Sequence, residues 1–193
     1  MLLSPAFEHA LRYASVIHAG QTRKGSNIPY VAHLLGVTAI ALEYGANEIE
    51  AIGALLHDAA EDAGGRGRIE DIRFRFGAEV AAIVEGCTDT METPKPAWME
   101  RKQAYVDHVA AASASVRLVS ASDKLHNCRA IVRDLRTDGS KVWQRFAGGK
   151  DGTLWYYRAL LKEFQKADDN ELVQELGRAV EEMHVLANEV YTP

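Results

Sequence analysis

Apolar residues recur along this chain at intervals of three and four, and no stretch alternates strictly between apolar and polar positions. The pattern predicts helices almost throughout, an all-α fold of about eight to ten helices. Ser4 followed by Pro5 opens a first helix that runs to about His18, the serine as cap and the proline at the position where its missing N–H costs nothing. Gly20 to Pro29 is a polar loop. A second helix spans about Tyr30 to Tyr44 and stops at Gly45, and a third spans about Asn47 to Ala63 before Gly64-Gly65. Shorter helices are expected at about Ile69 to Phe76 and Ala78 to Cys87. Thr88 to Pro96, with its Thr93-Pro94-Lys95-Pro96 run, cannot continue a helix. It reads equally as a mobile loop over a pocket and as a plain connection. Helices follow at about Ala97 to Ala112, Ser115 to Leu135, Thr153 to Ala167 and Asn170 to Val190, with a glycine-rich break at Gly148 to Gly152. No internal repeat or second domain is evident, so residues 1–193 read as a single domain.

Composition narrows the class. At 193 residues, 47% hydrophobic and 25% charged, the chain is of ordinary globular type and long enough for a real core. A formal net charge of −5 argues against nonspecific nucleic-acid binding. No apolar run is long enough to span a membrane, and Met1-Leu2-Leu3-Ser4-Pro5 lacks the basic start of a signal peptide. Cys87 and Cys128 share no CxxC spacing and read as two reduced thiols of a cytoplasmic protein. Oligomerisation stays open: the apolar helices after Thr153 could complete the core or form a dimer surface.

One stretch breaks the apolar pattern. Leu55-Leu56-His57-Asp58-Ala59-Ala60-Glu61-Asp62 places four ionisable side chains on a helix that Ala51-Ile52-Gly53-Ala54 makes apolar nearly all round. Burying unpaired carboxylates costs several kcal/mol each, so such a cluster needs a positive partner, and a divalent metal is the simplest. His57 and Asp58 stand at one level; Glu61 and Asp62 stand one turn further on overlapping faces. His33, polar within Tyr30-Val31-Ala32-His33-Leu34-Leu35, reads alone as a satisfied core histidine or as a ligand. Asp123, inside another helix, could pair with Lys124 or Arg129. Together His33, His57, Asp58 and Asp123 offer two imidazole nitrogens and two carboxylate oxygens, a mixture suited to Mn²⁺, Zn²⁺ or Fe²⁺. A water activated there, beside Glu61 and Asp62, is what phosphoester hydrolysis requires.

The separated His33, the adjacent His57-Asp58 and the late Asp123 resemble the H…HD…D pattern of HD-domain metal-dependent phosphohydrolases. The surrounding words are more specific. His18-Ala19-Gly20-Gln21-Thr22-Arg23-Lys24, Pro29-Tyr30-Val31-Ala32-His33 and Leu56 to Asp62 resemble the hydrolase domain of RelA/SpoT enzymes. So do Cys87-Thr88-Asp89, Glu100-Arg101-Lys102 and Ser122-Asp123-Lys124-Leu125-His126-Asn127-Cys128-Arg129. The resemblance runs from His18 to about Arg133, and the chain is too short for the other domains of the long enzymes, so it is most similar to the stand-alone small alarmone hydrolases. It implies one HD-domain helical bundle that hydrolyses the 3′-pyrophosphate of purine nucleotide alarmones with one Mn²⁺. His33, His57, Asp58 and Asp123 would be its ligands, Glu61 and Asp62 the catalytic carboxylates. Asn127, Arg23 and Lys24 would contact the substrate, while Lys124 and Arg129 offer further positive charge.

The chain departs from the family pattern at three places. Leu34 follows the first histidine where proline is common. Gly25-Ser26-Asn27-Ile28 lies in a variable loop, and Ala130 stands where threonine is common, which alters the expected nucleotide pocket. An adenosine alarmone such as ppApp or pppApp is therefore carried beside ppGpp and pppGpp. Another nucleotide monoester or dinucleotide, or a catalytically silent alarmone sensor, are the alternatives.

Overall fold

The computed structural model describes residues 3–62, 64–92 and 94–188, the side chain of Asp62 lying outside them together with Thr93 and the ends. The described residues are all-α, with a single isolated bridge between Thr22 and Pro29. The helices are α1 (Pro5–Ile17), α2 (Val31–Glu43), α3 (Glu48–Leu56), α4 (Ala59–Asp62), α5 (Gly65–Phe76), α6 (Ala78–Cys87), α7 (Trp98–Ala111), α8 (Ala114–Asp138), α9 (Gly149–Ala167) and α10 (Glu171–Asn188), with a 3₁₀ segment at Gly139–Arg145.

The chain forms two compact units, and α8 contributes to both. The first comprises residues 1–96 and 112–123. Its core is built from Leu34, Leu55, Leu56, Ile72 and Val84 on one side and Val37, Ala54, Ile83 and Val119 on the other. Two glycines set the helix spacing there. A Cβ on Gly53 of α3 would stand 2.6 Å from Cγ2 of Ile83 on α6, and one on Gly86 of α6 would stand 2.6 Å from Cγ2 of Val116 on α8. Cys87 Sγ also donates to the Val116 carbonyl, and Ser115 Oγ donates to Glu50. These close approaches bring α3, α6 and the start of α8 together, and with them His57, Asp58 and Asp123.

The second unit comprises residues 97–111 and 124–193. In it α9 packs against α7 and α10. Tyr156, Tyr157, Leu160 and Phe164 are buried, so the aromatic run Trp155-Tyr156-Tyr157 is helix core, with Trp155 edge-on to Trp98.

Three elements differ from the periodicity. The expected helix over Asn47–Ala63 is broken at His57-Asp58. The Ala54 carbonyl, whose ordinary helical partner is the Asp58 N–H, accepts instead from Nδ1 of His57 at 2.8 Å. Helix α5 begins four residues earlier than expected, because Arg68 of the added turn donates to the Tyr13 hydroxyl at 2.8 Å and Tyr13 donates to Asp71 at 2.5 Å. Helix α9 begins inside the glycine run, where the Trp98 ring lies against Gly148 and Gly152 so closely that a Cβ on either would stand 2.5 and 3.0 Å from it.

Candidate active site

Four side chains converge within the first unit. His33 sits in the first turn of α2, His57 and Asp58 occupy the break between α3 and α4, and Asp123 lies on α8. Nε2 of His33 is 3.4 Å from Oδ2 of Asp58 and 3.2 Å from Oδ1 of Asp123. Nε2 of His57 is 3.0 Å and 3.6 Å from the same two oxygens. The imidazoles meet edge-on with centroids 5.2 Å apart. His33, His57 and Asp123 are buried, and Asp58 is partly exposed. The helix break aims this set: it turns His57 and Asp58 toward one point, which an uninterrupted helix would spread around its axis.

The chemistry of the donor set fits a divalent cation. Because Nδ1 of His57 donates its proton to the Ala54 carbonyl, the neutral ring presents a lone pair at Nε2. That nitrogen is buried without a hydrogen-bond partner. A lone pair against two carboxylate oxygens is repulsive unless positive charge lies between them. Without an ion, that charge is a proton. Burial pulls the His57 pKa down, but Asp58 and Asp123 outweigh it and hold the group well above its ordinary value. Burial pushes Asp58 up, but His57 and His33 hold it well below the usual carboxylate range. His33, His57 and Asp58 offer ligand atoms within 4.8 Å of one another. Two imidazole nitrogens with carboxylate oxygens suit a divalent transition metal.

Glu61 lies on α4, and its Oε1 accepts from Lys95 Nζ at 2.9 Å. Asp62 ends α4, with its side chain outside the described residues. Lys95 belongs to the irregular segment after α6, whose Met91 packs against the core. Its only trace in the sequence was a lysine stiffened between Pro94 and Pro96.

The loop carrying Arg23 and Lys24 is a short ribbon rather than an open coil. Arg23 N donates to the Ile28 carbonyl at 2.8 Å and Tyr30 N donates to the Gln21 carbonyl at 2.9 Å. The Arg23 guanidinium lies 5.8 Å from the centre of the Tyr30 ring, and Lys24 is exposed. Tyr30, which periodicity marks only as a helix start, donates its hydroxyl to Oδ2 of Asp58 at 2.6 Å. The residue stands three positions before His33, a spacing that shares a helix face.

Further along α8, Asn127 follows Asp123 by one helical turn. Lys124 lies 5.1 Å from the centre of the Tyr105 ring. Arg129, expected to supply charge for a nucleotide, is exposed and donates to Glu175 at 2.9 Å. Lys150 Nζ donates to the Ala187 carbonyl at 2.6 Å.

Comparison with known proteins agrees with this geometry. The HD domain family model matches residues 10–154. The chain belongs to the HD-domain family of hydrolases. It is 38% identical over 127 residues to the guanosine-3′,5′-bis(diphosphate) 3′-pyrophosphohydrolase MESH1 of Xenopus tropicalis, covering 64% of this chain and 68% of that protein. The fold superposes with a TM-score of 0.77 and 27% identity on a metazoan ortholog of SpoT that hydrolyzes ppGpp, over 94% of this chain and 97% of the other. A second likeness, to lmo0812 of Listeria monocytogenes, has a TM-score of 0.69 and 29% identity, over 77% of this chain and 96% of that one. A divalent metal is implied by the family, and the His/Asp set accommodates one.

Proposed function

We propose that this chain hydrolyses the 3′-pyrophosphate of ppGpp and related alarmones with Mn²⁺, releasing pyrophosphate. The observation that carries the reading is the convergence of His33, His57, Asp58 and Asp123 on one buried point, with Glu61 on the short helix that follows. The relatives named for guanosine-3′,5′-bis(diphosphate) hydrolysis and the SpoT-like structure support the substrate class. The family match runs through both compact units, which supports reading 1–193 as one hydrolase domain. No helix among the described residues is long and apolar enough to cross a membrane, and Cys87 and Cys128 are buried thiols outside any disulfide among those residues. The proposal places the enzyme in the cytoplasm.

In this reading His33, His57, Asp58 and Asp123 hold the ion. When bound, the ion supplies Lewis acidity toward a phosphoryl oxygen and lowers the pKa of water. Glu61 and Asp62 orient the attacking water and accept its proton. Lys95, paired with Glu61, adds positive charge for the diphosphate. Arg23 and Lys24 meet the substrate from the ribbon before α2, and the substrate roles of Asn127 and Lys124 rest on the sequence resemblance. Arg129 joins them only by exchanging Glu175 for a phosphate. Base preference turns on the pocket that Ala130 alters, so ppApp and pppApp stay within the proposal beside the guanosine forms.

The test is a substrate panel: ppGpp, ppApp and a nucleotide 3′-monophosphate, each with and without added Mn²⁺, with products resolved chromatographically. Mn²⁺-dependent pyrophosphate release from one or both alarmones supports the proposal, and the ratio assigns the base. Orthophosphate release confined to the monoester would replace it with a phosphomonoesterase. Saturable binding without turnover would replace it with a sensor.

A further inference from the structure

We infer that Tyr30 is a positioning residue for the metal ligand Asp58, and that it ties the Arg23–Lys24 ribbon to the metal centre. This rests on the metal-site reading above. The Tyr30 hydroxyl donates at 2.6 Å to Oδ2 of Asp58, the oxygen that also stands 3.0 Å from Nε2 of His57 and 3.4 Å from Nε2 of His33. The bond therefore fixes the oxygen that faces both imidazoles. A carboxylate on a partly exposed side chain would otherwise rotate, and either oxygen could face solvent.

Tyr30 is itself held on several sides. The His18 ring stacks on it at 24° with centroids 5.2 Å apart, and the His33 ring meets it edge-on at 5.5 Å. Arg23 lies over its face, and its backbone N–H closes the ribbon on Gln21. His18 is buried in turn, with Nδ1 donating to Oε1 of Gln21 at 2.6 Å and Nε2 without a hydrogen-bond partner. This stacked, buried imidazole makes the tyrosine ring a fixed support. One ring thus connects a loop expected to meet the substrate with an atom expected to hold the ion. Displacement of Arg23 by substrate is transmitted to the Asp58 carboxylate through that ring.

The experiment is a calorimetric titration of Mn²⁺ into metal-free wild type, Tyr30→Phe, Asp58→Ala and the double variant, with thermal melts of each metal-free protein. Tyr30→Phe keeps the ring, the stack on His18 and the ribbon, and removes only the hydroxyl. A weakening of Mn²⁺ binding by roughly 10-fold or more is expected, the scale of second-sphere partners, with an unchanged melt. In the Asp58→Ala background the same change is expected to have no further effect. Unchanged Mn²⁺ affinity in Tyr30→Phe, or additive losses in the double variant, would overturn the inference while leaving the metal site intact. Should Tyr30→Phe not fold, His18→Asn supplies the same reading: its Mn²⁺ affinity must fall, and wild-type affinity overturns the inference. Failure of the wild type to bind Mn²⁺ would instead remove the metal reading and this inference with it.

Discussion

Nε2 of His57 stands 3.0 Å from Oδ2 of Asp58, and the Ala54 carbonyl takes the proton on Nδ1. A backbone carbonyl four residues from its normal donor thereby does two things. It interrupts a helix that the apolar pattern would continue, and it leaves Nε2 as the ring nitrogen that faces two carboxylates. The same contact links local structure to chemistry: without the break, His57 and Asp58 would diverge around the helix.

Metal binding should therefore stabilise the protein. With Mn²⁺ at 100 times its Kd, the gain is about 2.7 kcal/mol, seen as a higher Tm than in chelator-treated protein. His57→Ala should abolish that gain, and chelation should abolish turnover until metal is restored. An identical Tm with and without Mn²⁺ would speak against a built metal site.

Glu61→Gln should lower kcat by roughly 10²–10⁴-fold while Mn²⁺ affinity stays within a few-fold, as expected for loss of general-base assistance. Lys95→Ala, which frees Glu61 and removes a cation, should act more weakly and mainly on KM. Steady-state kinetics of the two variants separates these roles, and an unaltered kcat in Glu61→Gln would reassign the base.

The metal-ligand candidates were legible because a polar side chain inside an apolar helix is conspicuous: His33, His57, Asp58 and Asp123 all interrupt buried runs. Most helices were legible for the same reason, down to the Ser4-Pro5 start of α1, which the structure bears out with Ser4 Oγ accepting from Ala6 N. The break at His57 was not, since Ala59-Ala60 continues the apolar pattern and the interruption is a side-chain competition for one carbonyl. The starts of α5 and α9 were hidden because glycines mark breaks locally, whereas Tyr13 and Trp98 supply the packing from far along the chain. Lys95 and Tyr30 escaped because their partners Glu61 and Asp58 are distant in sequence, and neither a lysine between two prolines nor a tyrosine at a helix start names its partner.

The glycine contacts that place the site elements can be tested directly. Gly53→Ala should destabilise by about 1–3 kcal/mol through its clash with Ile83. Ile83→Ala alone should destabilise as well, but the double variant should cost less than the sum of the two, because each relieves the other. Denaturant unfolding measures all three, and simple additivity would contradict the close approach.

Glu175 provides a pH-dependent contact within the second unit. Hydrogen bonds from Arg129 and then Arg178 hold its pKa below the ordinary 4.5. A depressed carboxylate pKa stabilises the fold fully above the unfolded value, and the contribution is lost as pH falls through the folded value. Glu175→Gln should thus cost under about 1 kcal/mol at pH 7, as exposed ion pairs do. The difference from wild type should vanish in acid. Melts at pH 7 and below pH 4 check this, and a difference that persists in acid would contradict it.

Burial, with the negative charge of Glu182, pushes the Cys128 thiol up to about 12. At pH 8 it should stay protonated and react slowly with a thiol-specific disulfide reagent in the native protein, with both cysteines reacting at once after unfolding. Rapid native labelling of Cys128 would show that the α8–α10 region opens.

The most direct measurement is phosphorus NMR of ppGpp incubated with the Mn²⁺-loaded protein, with the His57→Ala variant alongside. The account predicts stoichiometric pyrophosphate and GDP from the wild type and unchanged ppGpp with the variant. Orthophosphate as the released product, or equal turnover by the variant, would contradict it.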